Sequence, residues 1–323
     1  MPSDAARPRL HVVTGKGGTG KTTVAGALAL ALATDKKRVL LVEVEGRQGF
    51  AQLFDRAHLP YAETRLASVR GGEVIGLAVD AEAAMLEYLD MFYSMKRAGG
   101  VLRRMGAIDF VTTIAPGLRD VLLTGKVKEA VSRSTASGPA FDAVVLDAPP
   151  TGRITQFLQA TNEVADLTKF GPIHKQSVGV TSLLHSDLTV VHIVTLLEEM
   201  PVQESIDAAH DLRAAGYRLG HVIVNRARPE LATAGLKGST KTLAVGLREA
   251  GLDPALAPAL RRQFNEYAER QRVQADAAVE LTEIDLPVLR LPELAPPMDL
   301  GTLFELAEEM APVAGGSVGI GPA

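Results

Sequence analysis

Between Gly15 and Thr23 the chain reads Gly-Lys-Gly-Gly-Thr-Gly-Lys-Thr-Thr. The subset Gly15-x-x-x-x-Gly20-Lys21-Thr22 matches the spacing of a phosphate-binding loop in full. Each residue type has a physical reason to be there. The glycines Gly15, Gly17, Gly18 and Gly20 let the backbone wrap tightly, so that several N–H groups, that of Thr19 among them, point at phosphate oxygens. A helix that begins at the end of such a loop adds the positive end of its dipole. Lys21 is placed to neutralise the β- and γ-phosphates, and the Thr22 hydroxyl to bind Mg²⁺. The ligand expected of this loop is Mg-ATP.

A metal-associated carboxylate is required at the end of a neighbouring strand. Asp147 stands there, closing the apolar run Val144-Val145-Leu146. It is followed by Ala148-Pro149-Pro150-Thr151-Gly152. Gly152 is a candidate to offer its N–H to the γ-phosphate, with the stiff prolines setting how the loop moves when that phosphate leaves. Lys16 is a second lysine inside the loop, which simple phosphate binding does not need.

These residues must be held by strands that alternate with helices. Leu10–Thr14, Arg38–Val44, Ala143–Leu146, Thr189–Thr195, His221–Asn225 and Val288–Leu291 read as buried strands. Thr22–Thr34, Ala81–Arg104, Leu118–Val131, Val202–Ala215 and Gly301–Met310 read as helices, and Leu236–Ile284 as mostly helical. The alternation predicts an α/β fold, doubly wound around a mostly parallel sheet, with an inserted α-helical subdomain. The nucleotide-binding domain is expected over 1–80 and 141–312, the helical insertion over 81–140, further helical elements over 154–185 and 236–284, and a disordered Gly-rich tail over 313–323.

Composition narrows the function classes. Of 323 residues none is cysteine, which excludes disulfides, thiolate metal sites and cysteine-ligated clusters. A net charge of −4 is unlike the basic field of a nucleic-acid binder, so no nucleic-acid partner is expected. The polar Met1–Arg9 segment does not resemble a signal peptide. The apolar stretches fall short of a membrane span, so no stable membrane insertion and a cytoplasmic location are expected.

The motif Lys-Gly-Gly-x-Gly-Lys-Thr-Thr resembles the deviant Walker A sequence of the MinD/ParA/ArsA group of P-loop ATPases. Further segments resemble the ArsA branch, the arsenite-transport and tail-anchored-protein-targeting ATPases. They are Asp147–Arg153, Leu197–Glu204, Val222-Ile223-Val224-Asn225-Arg226, Ala115-Pro116-Gly117 and Leu289–Glu293. The likeness spans residue 10 to about residue 310. It implies cross-dimer catalysis by Lys16, phosphate binding by Gly17 to Thr23, and adenine contacts from Asn225, with Arg226 beside it, and from the loop around Pro292 and Glu293. It also implies a homodimer, or a heterodimer with a related ArsA-like subunit, and a client protein.

Three departures from the branch matter. Its strand two ends in Asp-Pro-Ala-His, whose Asp positions the attacking water; here the run is Glu45-Gly46-Arg47-Gln48. Glu45 is one methylene longer, and a base must lie within hydrogen-bond reach of its water. Arg47 is added cationic chemistry, placed either to hold the γ-phosphate or to pair with Glu43 on the surface. Arg153 replaces a His and reads equally as a surface residue. Without thiols, arsenite capture by cysteine is excluded. Met85, Met91, Met95 and Met105 cluster as a client groove would require, but ordinary packing is the simpler reading. The leading expectation is an ATP-hydrolysing dimeric switch with catalytic Lys16, Lys21, Glu45 and Asp147. The alternatives are a low-turnover ATP-gated scaffold or chaperone subunit of a heteromeric complex, and a MinD/ParA-type positioning ATPase.

Overall fold

The computed structural model describes residues 8–93, 116–136, 138–167, 172–229 and 239–315. Met105, most of the central part of the expected insertion and the end of the Gly-rich tail lie outside the described residues.

The first βαβ unit is built around the phosphate loop. Strand β1 (Leu10–Gly15) leads into helix α1 (Lys21–Leu32), and β2 (Arg38–Glu43) comes next. Helix α1 is Ala- and Leu-rich on every side, and all but two of its residues are buried, as expected of a helix in the centre of a protein rather than on its surface. A short helix α2 (Gly49–Leu53) precedes the hairpin β3 (Thr64–Val69) and β4 (Gly72–Ala78). Arg70 and Gly71 join these two strands with φ of 43° and 84°, the double positive φ of a type I′ hairpin turn. Helices α3 (Ala81–Tyr93) and α4 (Pro116–Ser132) and a two-residue hairpin of β5 (Ser134–Thr135) and β6 (Gly138–Pro139) lead to β7 (Ala143–Asp147).

The second half runs α5 (Thr151–Leu167), α6 (Pro172–Leu184), β8 (Thr189–Thr195), α7 (Glu199–Ala214) and β9 (Leu219–Ala227). Then come α8 (Thr240–Glu249), the long α9 (Ala257–Glu280), β10 (Val288–Pro292), α10 (Leu300–Glu309) and α11 (Ala311–Ala314). The main sheet has the order β10-β9-β8-β1-β7-β2-β4-β3. All neighbours are parallel except the edge pair β3–β4. One core, on the face covered by α4 to α7, contains Leu123, Phe141, Phe157 and Leu212; the other, around α1 and α10, contains Leu28, Phe50, Leu303 and Leu306. The fold is the expected doubly wound α/β arrangement. Helices α3 and α4 enter between β4 and β7, and Leu122, Leu123 and Val127 of α4 join the sheet's own core. Among the described residues no helix is long and apolar enough to cross a membrane.

Three histidines line one face of the central strands. His11 on β1 and His192 on β8 stack with ring centroids 5.4 Å apart, and His221 on β9 lies 5.9 Å beyond His192. The His221 backbone N–H donates to His192 Nδ1 at 3.2 Å, and His192 Nε2 lies 3.1 Å from His11 Nδ1. A backbone N–H can only donate, so His192 carries its proton on Nε2 and gives it to His11 Nδ1. A further proton on either acceptor nitrogen would set two donors face to face. Burial agrees, lowering the His11 pKa to about 4 and that of His192 well below its ordinary value.

Since the folded value lies below the unfolded one, the unfolded chain binds the extra proton more readily between pH 6.5 and about 4. Stability is then full above pH 6.5 and declines as the pH falls through this window. His11 alone should remove roughly 2 kcal/mol between pH 7 and pH 5. Urea melts at the two pH values measure this loss. It should shrink in His11→Asn, which keeps an acceptor near the Nδ1 position and cannot titrate.

Candidate functional site

The phosphate loop leaves the carboxyl edge of the sheet between β8 and β7, the strands on either side of β1. Two of its glycines are fixed by close approach. A Cβ on Gly15 would lie 2.1 Å from the Val194 carbonyl oxygen, and one on Gly20 (φ 89°) would lie 2.3 Å from Asn225 Nδ2. Gly17 and Gly18, by contrast, border open space: a Cβ on either would meet nothing within 4 Å. Thr19 closes the turn by donating both its N–H (3.3 Å) and its hydroxyl (2.9 Å) to the Lys16 carbonyl. Asn225 braces it from β9, donating Nδ2 to the Thr19 carbonyl at 2.8 Å and accepting the Arg226 N–H at 3.0 Å through Oδ1. Lys21, Thr22 and Thr23 open α1, directing the positive end of its dipole into the loop.

Lys21 is only 7% exposed. Burial lowers its pKa, while the Asp147 and Glu45 carboxylates work to keep it charged. Thr22 Oγ1 donates to Asp147 Oδ2 at 2.7 Å. The loop thus meets the strand-end carboxylate as the sequence predicts. Asp147 sits opposite Glu43 in the register of β7 and β2. Burial, with Glu43 and Glu45 adding to it, pushes the Asp147 carboxyl up to about 7 against the opposing pull of Thr22 and Lys21. Asp147 Oδ1 and Glu43 Oε2 are buried without a hydrogen-bond partner. An all-oxygen donor set beside a phosphate cradle fits Mg²⁺, which needs few protein ligands when phosphates supply the rest. Among the described residues no three His, Cys, Asp or Glu side chains converge into a metal cage.

The loop after Asp147 is tied to the same strands. Ala148 N–H donates to Val13 O at 2.9 Å, and Thr14 Oγ1 donates to Pro149 O at 2.7 Å. Thr151 and Gly152 then open α5, and a Cβ on Gly152 would meet nothing within 4 Å. Lys16 is held within its own chain: its Nζ donates to Glu204 Oε1 on α7, and Glu204 Oε2 accepts from Thr151 Oγ1 at 3.2 Å. One carboxylate therefore joins the phosphate loop, the Asp147–Gly152 segment and α7.

Arg47 does not make the surface pair with Glu43 that the sequence offers as one of its two positions. Glu43 is 2% exposed, so it is not a surface partner, and the Arg47 guanidinium lies 3.6 Å from Glu45 Oε2. Arg153 is half-exposed and lies 3.8 Å from Asp120.

Beyond Asn225 a cleft of about 420 Å³ is lined by Leu197, Asn225, Arg226, Glu293, Arg270 and Val273 among others. Arg226 adopts a left-handed φ of 52°. Glu293 follows Pro292 at the end of β10, donates its N–H to Ala227 O at 3.0 Å and pairs with Arg228 at 2.6 Å. Helix α9 forms one wall. It is fastened to the loop after β9 by Tyr267 Oη (2.7 Å) and Gln271 Nε2 (3.2 Å), which both donate to Pro229 O. The cleft brings Asn225, Arg226 and Glu293 together at a distance in sequence from the phosphate loop. Glu43, Glu204 and the wall of α9 are site elements that motif spacing does not reveal.

The family model for anion-transporting ATPases matches residues 9–184. The ATPase BagA of Mycobacterium tuberculosis is 51% identical over 321 residues, covering 96% of this chain and 94% of the relative. A protein of Aquifex aeolicus named as an arsenical pump-driving ATPase is 23% identical, over 69% of this chain and 81% of its own length. The ATPase GET3 of Kluyveromyces lactis is 28% identical over 50% of this chain and 48% of its own. With its phosphate loop, strand-end aspartate and doubly wound sheet, the chain belongs to the anion-transporting (ArsA-like) ATPase family.

Proposed function

We propose that this ATPase is a dimeric switch that binds Mg-ATP between the phosphate loop and the cleft at β9–β10 and hydrolyses it. The observation that carries the reading is the convergence of Lys21, Thr22 and Asp147 at the end of the phosphate loop. Gly15 to Thr23 cradle the phosphates, with Gly152 at their far end. Asn225, Arg226, Pro292 and Glu293 flank the base. Thr22 and Asp147 would hold Mg²⁺, which when bound neutralises charge developing on the β- and γ-phosphates. Lys21 supplies the cis cation. Glu45 is the carboxylate that would orient the attacking water, from a position shared with Arg47.

Lys16 acts on the nucleotide of a second subunit, identical or related. To do so it must leave Glu204, whose other carboxylate oxygen accepts from Thr151 beside Gly152. Closure of the dimer thereby acts on a carboxylate that also holds the segment next to Gly152. The client is a protein or peptide in the cytoplasm, and metalloid capture by thiolates plays no part because the chain has no cysteine.

The Glu45–Arg47 pair favours a second reading, an ATP-gated scaffold with slow turnover. Steady-state phosphate release by wild type and Glu45→Asp separates the two. The switch reading expects wild-type turnover that is lost in Lys21→Ala, with Glu45→Asp changing it by less than about tenfold. A negligible wild-type rate that Glu45→Asp raises far more than this would replace the switch by the scaffold.

A further inference from the structure

Glu43 is the most fully buried carboxylate near the phosphate loop, 2% exposed, at the end of β2. Its Oε1 accepts the Gly49 N–H at 3.4 Å, and its Oε2 has no partner. In the parallel register of β2 and β7 it stands directly opposite Asp147, whose Oδ1 is also buried and unpartnered. Buried carboxylate oxygens are ordinarily hydrogen-bonded, and two adjacent buried carboxylates repel unless a cation lies between them. Thr22 Oγ1 is bound to the other Asp147 oxygen. The two unpartnered oxygens thus belong to carboxylates on facing strand ends, one of them hydrogen-bonded to the hydroxyl at the first turn of α1.

We propose that Glu43 is a third protein group of the divalent-cation site, acting with Asp147 and Thr22 on a cation that accompanies the nucleotide. This rests on the Mg-nucleotide reading above. It adds a residue whose carboxylate holds the cation or the water bound to it, a role that nothing in the phosphate-loop motif assigns. Glu43 also connects the cation to the chain beyond β2. Through Gly49 N–H it grips the start of α2, and a Cβ on Gly49 would lie 2.7 Å from Thr22 Cγ2. The segment between Glu43 and Gly49 carries Glu45 and Arg47. Binding of the cation therefore sets the position of that segment through one side chain.

The test uses the full chain, with Mn²⁺ as the probe. Mn²⁺ affinity is measured by electron paramagnetic resonance in the presence of ADP, for wild type and Glu43→Gln, alongside ADP affinity in EDTA and melting temperature in EDTA. Glu43→Gln should weaken Mn²⁺ binding by about 10–100-fold. It should leave ADP affinity in EDTA unchanged and raise the metal-free melting temperature, because a buried repelling charge has gone. Unchanged Mn²⁺ affinity with ADP bound overturns the role of Glu43 and leaves the nucleotide site standing. Failure of wild type to bind ADP with or without Mn²⁺ overturns both. Should Glu43→Gln not fold, the same titration on Glu43→Asp decides. The carboxylate is withdrawn by one methylene, so Mn²⁺ binding weakens if Glu43 faces the cation, and affinity equal to wild type overturns the proposal.

Discussion

Lys21→Ala should lower the affinity for ATP by at least about 100-fold, with the fold preserved by circular dichroism. The effect is large because of where the ammonium sits. It is nearly buried at the first turn of α1, directly after the phosphate loop, its charge favoured by Asp147 and Glu45. Removing one partner of a desolvated charge pair costs roughly 2–5 kcal/mol, in large part because the other charge is left without compensation. A polyphosphate is that other charge here, and in its absence Asp147 is. Lys21→Arg should not restore binding, since a planar guanidinium does not occupy the space of a compact ammonium at the end of a closely packed loop. Titration with a fluorescent ATP analogue checks both variants. Near-wild-type affinity in Lys21→Ala would mean that nucleotide, if bound, is bound elsewhere.

Asp147→Asn should have the second large effect, on turnover rather than on binding. The substitution is nearly isosteric, and the amide oxygen can still accept the Thr22 hydroxyl now 2.7 Å away. It removes the charge and turns an N–H₂ toward Glu43, its neighbour in register. Losing a carboxylate that supports the developing phosphate charge corresponds to a fall in kcat of two to three orders of magnitude, about 3–4 kcal/mol. Nucleotide affinity in EDTA should change little. Phosphate-release assays at saturating ATP and Mg²⁺ measure the first quantity and EDTA titrations the second. Equal loss in both would make Asp147 a brace for the loop rather than a group acting in the reaction.

Much of this arrangement is legible in the sequence because its rules are local. Gly15, Gly20, Lys21 and Thr22 follow one another within a single turn of chain, and Asp147 closes an unbroken apolar strand. Spacing alone therefore places them at the edge of the sheet. The hairpin β3–β4 escapes notice because Gly71, Gly72 and Gly76 look like breaks. Yet Arg70-Gly71 is the I′ turn, and Gly76 packs against Leu66, whose Cδ1 would be 2.6 Å from a Cβ placed there.

Glu43 is hidden by periodicity. In Val42-Glu43-Val44-Glu45 the two acids share one face of the strand under a period of two, and no spacing rule says which of them is buried. Glu204 is hidden by distance, since its bond to Lys16 joins residues 188 positions apart. The misplacing of Arg47 stems from Glu43: a side chain expected at the surface lies inside, and Arg47 turns to Glu45 instead. Apart from the hairpin β3–β4, the features that sequence leaves unread are tertiary contacts between elements that it identifies.

The most direct test of a site shared between two subunits is the rate of phosphate release per subunit as a function of protein concentration, for wild type and Lys16→Ala at saturating Mg-ATP. A wild-type rate that climbs with concentration to a plateau, and its loss in a Lys16→Ala protein that still binds ATP, is the predicted result. A per-subunit rate that stays flat across the series and survives Lys16→Ala would contradict it, leaving Lys16 as the cis partner of Glu204 and the chain as an ATPase complete in one copy.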